Sequence, residues 1–332
     1  MMKLKLVLLS LLFTSTLFFG QTAISKAHNY IYAAEVMLKE KKYNEALTYF
    51  EKSFKLAYTD NPNYLLDAAC SAFKLKKDKI AYTFLEQSIT DYKIPLEFLK
   101  TYGKLKEFQN NELFKKVINN YDILYRKFYN NKKDLDIFLE VEELKHYDQY
   151  TRKIDAYYSG YNLDDFNQLD ESRHPKEISN KDYLKFRDQL TNKTDSLNAV
   201  RLIEITKKRG YQKNSWLLLW HHRTTYTTND YFWSYFKPFI QDQIKVGNVE
   251  KSFFAQFEDA VESMHSEKQK YGTAWDNSIT IEDIKNVDNL REEINLPPLY
   301  YNYYIYGTPL PENYKMSYEE FKKKIMNAIS EK

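Results

Sequence analysis

The chain has 332 residues, a formal charge of +3, 43% hydrophobic and 29% charged residues. This is ordinary globular usage, which excludes wholesale disorder and gives no electrostatic case for nucleic acid as a partner. Seven Gly and eight Pro are too few for a turn-rich all-β fold or for Gly-rich nucleotide loops, and a single cysteine, Cys70, excludes an internal disulfide.

In chain order, Lys3 and Lys5 precede an apolar run from Leu6 to Phe19 that ends at the small residue Gly20. This pattern predicts a signal peptide over residues 1–20, since the run is shorter than the roughly 20 residues of a membrane span. Cleavage after Gly20 removes two lysines, leaves 3 − 2 = +1, and makes the protein periplasmic or secreted, with no membrane association after signal removal. Cys70 lies in the apolar stretch Leu65–Cys70 and is expected as a small packed hydrophobe.

A repeat follows. Shifted by 35 positions, Ala34 falls on Ala69, Leu38 on Phe73, Lys42 on Lys77, Ala46 on Ala81 and Phe50 on Leu85. Each unit holds two apolar-periodic segments around a charged break, and the alanines let paired helices approach closely. Asn61-Pro62 marks the start of the second unit. The period and the run Lys41–Phe50 resemble the tetratricopeptide repeat family. Residues 95–130 resemble its divergent closing unit, so the repeat region spans 27–130.

Asn130–Lys133 is polar and marks a boundary. Asp134 is predicted to cap a long helix running to Tyr158, followed by a loop or short helix over 159–180. Thr194 or Asp195 is expected to cap a helix that Gly210 stops. Ser215–Tyr226 reads as a buried helix, and Tyr231–Val246 and Val249–Lys270 as two more. Thr280 with Asp283 and Ser317 with Glu320 have capping-box spacing. Tyr300–Tyr306 is the one candidate short strand. The predicted fold is therefore all-α: a tetratricopeptide-like hairpin stack packed against a C-terminal helical domain over 134–316, with a terminal helix at 317–332.

The P-loop, G-x-G-x-x-G, H-E-x-x-H, C-x-x-C and G-x-S-x-G motifs are all absent. Common ATPases, zinc metalloproteases and α/β-hydrolases are thereby disfavoured, and neither a metal nor a cofactor is expected. Adjacent helical residues point about 100° apart, so His221 and His222 do not share one metal. Asp148 and Arg152 are an i,i+4 pair on one helical face. Gln269-Lys270-Tyr271-Gly272-Thr273 ends a predicted helix, with Gly272 as its left-handed stop.

Residues 134–306 also resemble a bacterial domain family of unknown function. The resemblance rests on Asp148-Gln149-Tyr150-Thr151-Arg152, His221 after a Trp-Leu-rich helix, Gln269–Thr273, Asn286-Val287-Asp288-Asn289-Leu290-Arg291 and Leu296-Pro297-Pro298-Leu299. The chain departs from that family at Trp220 and at Asp259-Ala260. The resemblance implies a pocket built from these motifs.

Two functions are expected. The first is an exported interaction protein, with a protein or peptide partner in the repeat groove at His28, Ile31, Glu35, Lys39, Asn63, Leu66 and Lys74. The alternative is a hydrolase or transferase with His221, Asp148 and Arg152 as catalytic residues, and with Gln269, Tyr271, Thr273 and Arg291 binding a small molecule in the C-terminal domain. A purely structural role for these polar motifs is the third reading. Either C-terminal role predicts that His221 lies beside at least two of the other motif residues, because singly buried polar groups are costly.

Overall fold

The computed structural model describes residues 23–59, 61–158, 180–228, 230–274 and 279–330. The predicted signal peptide and most of the predicted 159–180 loop lie outside them. The fold is all-α. Among the described residues the only strands are two of two residues each, and no helix is long and apolar enough to cross a membrane. The chain divides after Lys132 and again before Ile240. Described residues on the outer sides of these points form one unit, and Lys133–Phe239 forms the other. The first division falls within the polar stretch Asn130–Lys133. The expected C-terminal domain over 134–316 is divided before Ile240, its described residues from Ile240 onward falling in the unit of the repeat region.

In the repeat-bearing unit, α1 (residues 23–39) and α2 (Tyr43–Leu56) make one hairpin, and α3 (Asn63–Lys74) and α4 (Asp78–Thr90) the next. Their turns repeat the 35-residue offset in the backbone. Lys41 and Lys76 are both left-handed, at φ 61° and 57°. One residue on, the Lys42 and Lys77 amides donate to Met37 O and Ala72 O, each at 2.9 Å. This is the closing bond of a Schellman turn, which satisfies carbonyls that the helix end would leave open. Ala34, Ala46, Ala69 and Ala81 are all fully buried, as close helix approach requires. At the start of α3, Asn61 Oδ1 accepts the Asn63 amide at 3.0 Å, and Pro62 precedes the first turn.

Helices α5 (Leu96–Thr101), α6 (Glu112–Asn119) and α7 (Tyr121–Asn130) follow, with α6 and α7 against α4. Asn111 caps α6 by accepting the Leu113 and Phe114 amides. From α12 (Tyr231–Lys245), within which the second division falls, the chain returns to this unit through α13 (Ala255–Ser266), strands β1 (Lys268–Gln269) and β2 (Thr280–Ile281), then α14 (Val287–Glu293), α15 (Tyr300–Tyr306) and α16 (Tyr318–Ile329). β1 and β2 pair in parallel, Lys268 with Thr280 and Gln269 with Ile281. The predicted Ser317–Glu320 capping box opens α16. Tyr301, Phe321, Ile325 and Ile329 share one hydrophobic core with Ile31, Leu66 and Leu85 of the repeats.

The other unit is built on α8 (Leu135–Tyr158), which packs on α10 (Lys193–Arg209) and α11 (Trp216–His221). Val141, Leu202, Leu218, Leu219 and Phe236 are buried in it. α10 continues without a break from α9 (Asn180–Arg187) through a π-helical turn at Asp188–Asn192. Thr191 Oγ1, in that turn, is the one buried side-chain polar atom without a partner among the described residues. Gly210, at φ 76°, ends α10 as expected.

Four local expectations are corrected. Thr194 and Asp195 cap nothing, because the helix begins upstream and the Asp195 carboxylate pairs with Arg152. Thr280 lies in β2 rather than in a capping box. Tyr300–Tyr306 is a helix, since its ring spacing serves a helical face as well as a strand. The helix before Gly272 ends earlier, at Glu267 in the left-handed conformation, and Gly272 serves a loop.

Candidate functional site

The motif residues fall in two groupings of buried polar side chains, one in each unit. In the unit Lys133–Phe239, Asp148 on α8 is buried, and its Oδ2 lies 2.6 Å from His221 Nδ1 at the end of α11. Arg152, one turn along α8, donates to Asp148 Oδ1 at 2.6 Å. The same guanidinium reaches Asp195 of α10 through Nη1 at 3.1 Å and Nη2 at 3.0 Å. Gln149 donates to Asp148 Oδ2 at 3.0 Å. The four charged or ionisable groups thus tie α8, α10 and α11 together. With Nδ1 held by a carboxylate, the ring presents Nε2 in a fixed orientation, as a general base requires. His222 turns elsewhere. Its ring stacks 3.9 Å from that of Phe232, and burial pulls its pKa below the usual imidazole value. The expected neighbours of His221 are therefore met by Asp148 directly and by Arg152 through Asp148.

Gln269, Tyr271, Thr273 and Arg291 gather in the repeat-bearing unit around Asp259, which the sequence marked only as a departure from the resembled family. Asp259 on α13 is fully buried. It accepts the Lys270 amide at 2.7 Å, the Tyr271 amide at 3.0 Å, the Thr273 amide at 2.8 Å and the Thr273 hydroxyl at 2.7 Å. Successive amides converging on one carboxylate wrap the loop into a nest. Gln269 adds a clamp across the same loop, accepting the Ala274 amide and donating to Ile279 O. The loop turns at Gly272, at φ 70°, where a Cβ would stand 2.8 Å from Leu299 Cδ1. This geometry directs Tyr271 O onto Arg291 Nη1 at 2.6 Å.

Arg291 is 2% exposed, and its Nε donates to Pro297 O at 2.6 Å. Burial lowers its pKa from the ordinary arginine value, opposed by the charge of Asp288. It forms a wall of a cavity of about 460 Å³ within this unit. Tyr32 of α1 and Tyr64 of α3 line one side. Gln269, Thr273, Leu299, Tyr301, Asn302 and Tyr306 line the other.

The residues expected to form an open groove on α1 and α3 have partners within this unit. Glu35 is buried and accepts the hydroxyls of Tyr301 and Tyr306. Burial pushes its carboxyl up to about 7, the Tyr301 hydrogen bond opposing. Lys39 donates to Ile305 O at 3.2 Å, and His28 lies 3.1 Å from Glu250. Asn63 opens α3, and Lys74 pairs with Glu107 at 2.6 Å. Ile31 and Leu66 are core residues. An amphipathic repeat face carries no mark of what will cover it; here α15 and α16 of the same chain do so. Cys70 is buried, and burial pushes its thiol up to about 12, which removes thiolate reactivity. Among the described residues no three His, Cys, Asp or Glu side chains gather to hold a metal.

Of the cavity residues, Gln269, Thr273 and Arg291 were expected. Tyr32 and Tyr64 were not, because 30 tyrosines in the chain leave no local signal. Asp259 could have been suspected from its place twelve residues before Tyr271, one face of a helix leading into a Gly-containing loop. Compared with protein-family models, with curated proteins and with solved structures, the chain gives no match.

Proposed function

We propose that this is an exported binding protein that takes a small molecule into the cavity of its repeat-bearing unit. The observation carrying the reading is the cavity itself. At about 460 Å³ it falls in the range of small-molecule sites, roughly 300–1,000 Å³. Its wall mixes tyrosine rings and aliphatic side chains with a few amides, hydroxyls and one guanidinium, the composition such sites use. A peptide lying along α1 and α3 has to displace α15 and α16, whose core residues are buried there. The hairpin repeats are therefore read as a frame for the cavity rather than as an open groove. Export rests on the basic start and short apolar run of residues 1–20.

A thermal-shift screen of small metabolites tests the proposal. Binders should raise the melting temperature of the native chain and lose that effect in Thr308→Trp, which fills the cavity from a lining position. A screen in which every binder acts equally on Thr308→Trp rejects the reading. Intact mass of the exported protein tests residues 1–20.

The second reading, a hydrolase or transferase around His221, is favoured by the 2.6 Å contact with Asp148. Turnover of chromogenic esters or phosphoesters that vanishes in His221→Ala, with the fold retained, supports it.

A further inference from the structure

The cavity wall carries a charge that the protein does not neutralise by contact. Arg291 is the one charged residue among the described residues lining the cavity. It is 2% exposed, and no carboxylate lies within ion-pair distance of it among the described residues. Two of its nitrogens donate to backbone carbonyls, Pro297 O and Tyr271 O. Nη2 has no acceptor among the described residues, and the Arg291 side chain lines the cavity. The two nearest acids are engaged elsewhere. Asp288 accepts the Leu299 amide and the Tyr314 hydroxyl, and Asp259 holds the 270–273 nest. A buried guanidinium satisfied only by neutral carbonyls keeps most of its desolvation cost, and an anion is the partner that relieves it. One cation matches one negative charge, and a planar guanidinium edge matches a carboxylate.

The rest of the wall constrains the body of the ligand. Among the described residues it presents no second charge to pair with. The Tyr64 hydroxyl and the Asn302 amide have no hydrogen-bond partner among the described residues and line the same cavity. They offer donors and acceptors to an uncharged polar body beside the ring of Tyr301. Building on the small-molecule reading above, we infer that the ligand is a small hydroxylated monocarboxylate, of the sugar-acid class. Its carboxylate sits on Arg291 and its hydroxyls face Tyr64 and Asn302.

Calorimetric titration with matched probes, first on the native chain and then on variants, tests this. D-galacturonate is compared with D-galactose, D-gluconate with D-glucitol, and 3-phenylpropanoate with 3-phenylpropanamide. A sugar acid should bind about tenfold or more tighter than its neutral counterpart. Tyr64→Phe and Asn302→Ala should each weaken the acid several-fold while leaving the melting temperature near that of the native chain. Arg291→Lys, where it folds, should abolish the preference for acid over neutral probe. Equal binding of acid and neutral members overturns the charge assignment and leaves the cavity reading intact. Binding of 3-phenylpropanoate alone overturns the hydroxylated body, and displacement of the acid by inorganic phosphate overturns the single-charge match. Binding of an acid unchanged by Thr308→Trp overturns the cavity reading itself. Absence of heat with every probe overturns the sugar-acid assignment.

Discussion

Asp148 and Asp259 are both buried, at 2% and 0% exposure, and the two units satisfy them by different means. Asp148 meets charged or ionisable side chains: Arg152 on its own helix, His221 from α11, and Asp195 beyond the arginine. Asp259 meets only backbone amides and one hydroxyl, all from the loop that follows its helix. The first arrangement joins three helices through side-chain ion pairs. The second fixes one loop and, through Tyr271 O, holds a guanidinium at a cavity wall. Glu35 is a third case. It is buried beside two tyrosine hydroxyls with neither a cation in contact nor an amide nest, and its carboxyl titrates far above the usual range.

Breaking the nest should have the largest effect. Asp259→Ala leaves three amides and a hydroxyl without their acceptor, at about 1–3 kcal/mol for each group that water does not reach. We expect a loss on the order of 4 kcal/mol in urea unfolding. A loss below about 1 kcal/mol would mean that the loop does not depend on the aspartate.

The Glu35 contrast is read by pH. Its carboxyl has an ordinary pKa of 4.5 when unfolded and about 7 in the fold, burial being the chief cause and the Tyr301 hydrogen bond opposing. The native state therefore binds the proton more tightly. The stability this contributes is complete below 4.5 and is lost as pH rises through 7. The loss is about 3 kcal/mol. Asp67, also raised by burial and paired with Lys104, adds in the same direction. Chemical unfolding at pH 4.5 and pH 8 should record the fall, and Glu35→Gln should remove the larger part of it. A slope unchanged in Glu35→Gln rejects the assignment.

Asp148→Ala should cost somewhat less, about 2–3 kcal/mol, because Arg152 keeps Asp195 when Asp148 is gone. A double-mutant cycle with His221→Ala should return a coupling of about 1–2 kcal/mol. Additivity within error would mean that the 2.6 Å contact is energetically idle.

The smallest expected effect is at the loop's turning point. Gly272→Ala must hold φ near 70° and place a methyl against Leu299. The cost is about 1–2 kcal/mol. It should be accompanied by loss of affinity for any acid bound at Arg291, while the Asp148 region stays unaffected. A melting temperature equal to that of the native chain would show that the loop has room to relax.

Reading the chain alone was sufficient wherever the determining interactions are local. The 35-residue repeat is visible as alanines and lysines at fixed offset, and it returns as the same left-handed turn at Lys41 and Lys76, because a Schellman turn is closed by residues within one turn of it. The Ser317–Glu320 box, the Gly210 stop and the helix from Leu135 to Tyr158 are legible for the same reason. The Asp148–Arg152 pair was legible too, as an i,i+4 spacing on one helix. What tertiary structure alone decided is the partner of each exposed-looking face. Tyr301 caps Glu35 across 266 residues of chain, and nothing in the repeat face encodes that distance. Asp195 reads locally as a cap, but the helix begins upstream of it and its carboxylate pairs with Arg152 from another helix. The cavity belongs to the same class of fact. It arises where residues from α1, α3, the 269–274 loop and the 296–311 segment meet, and a void between distant segments has no sequence period by which it could be read.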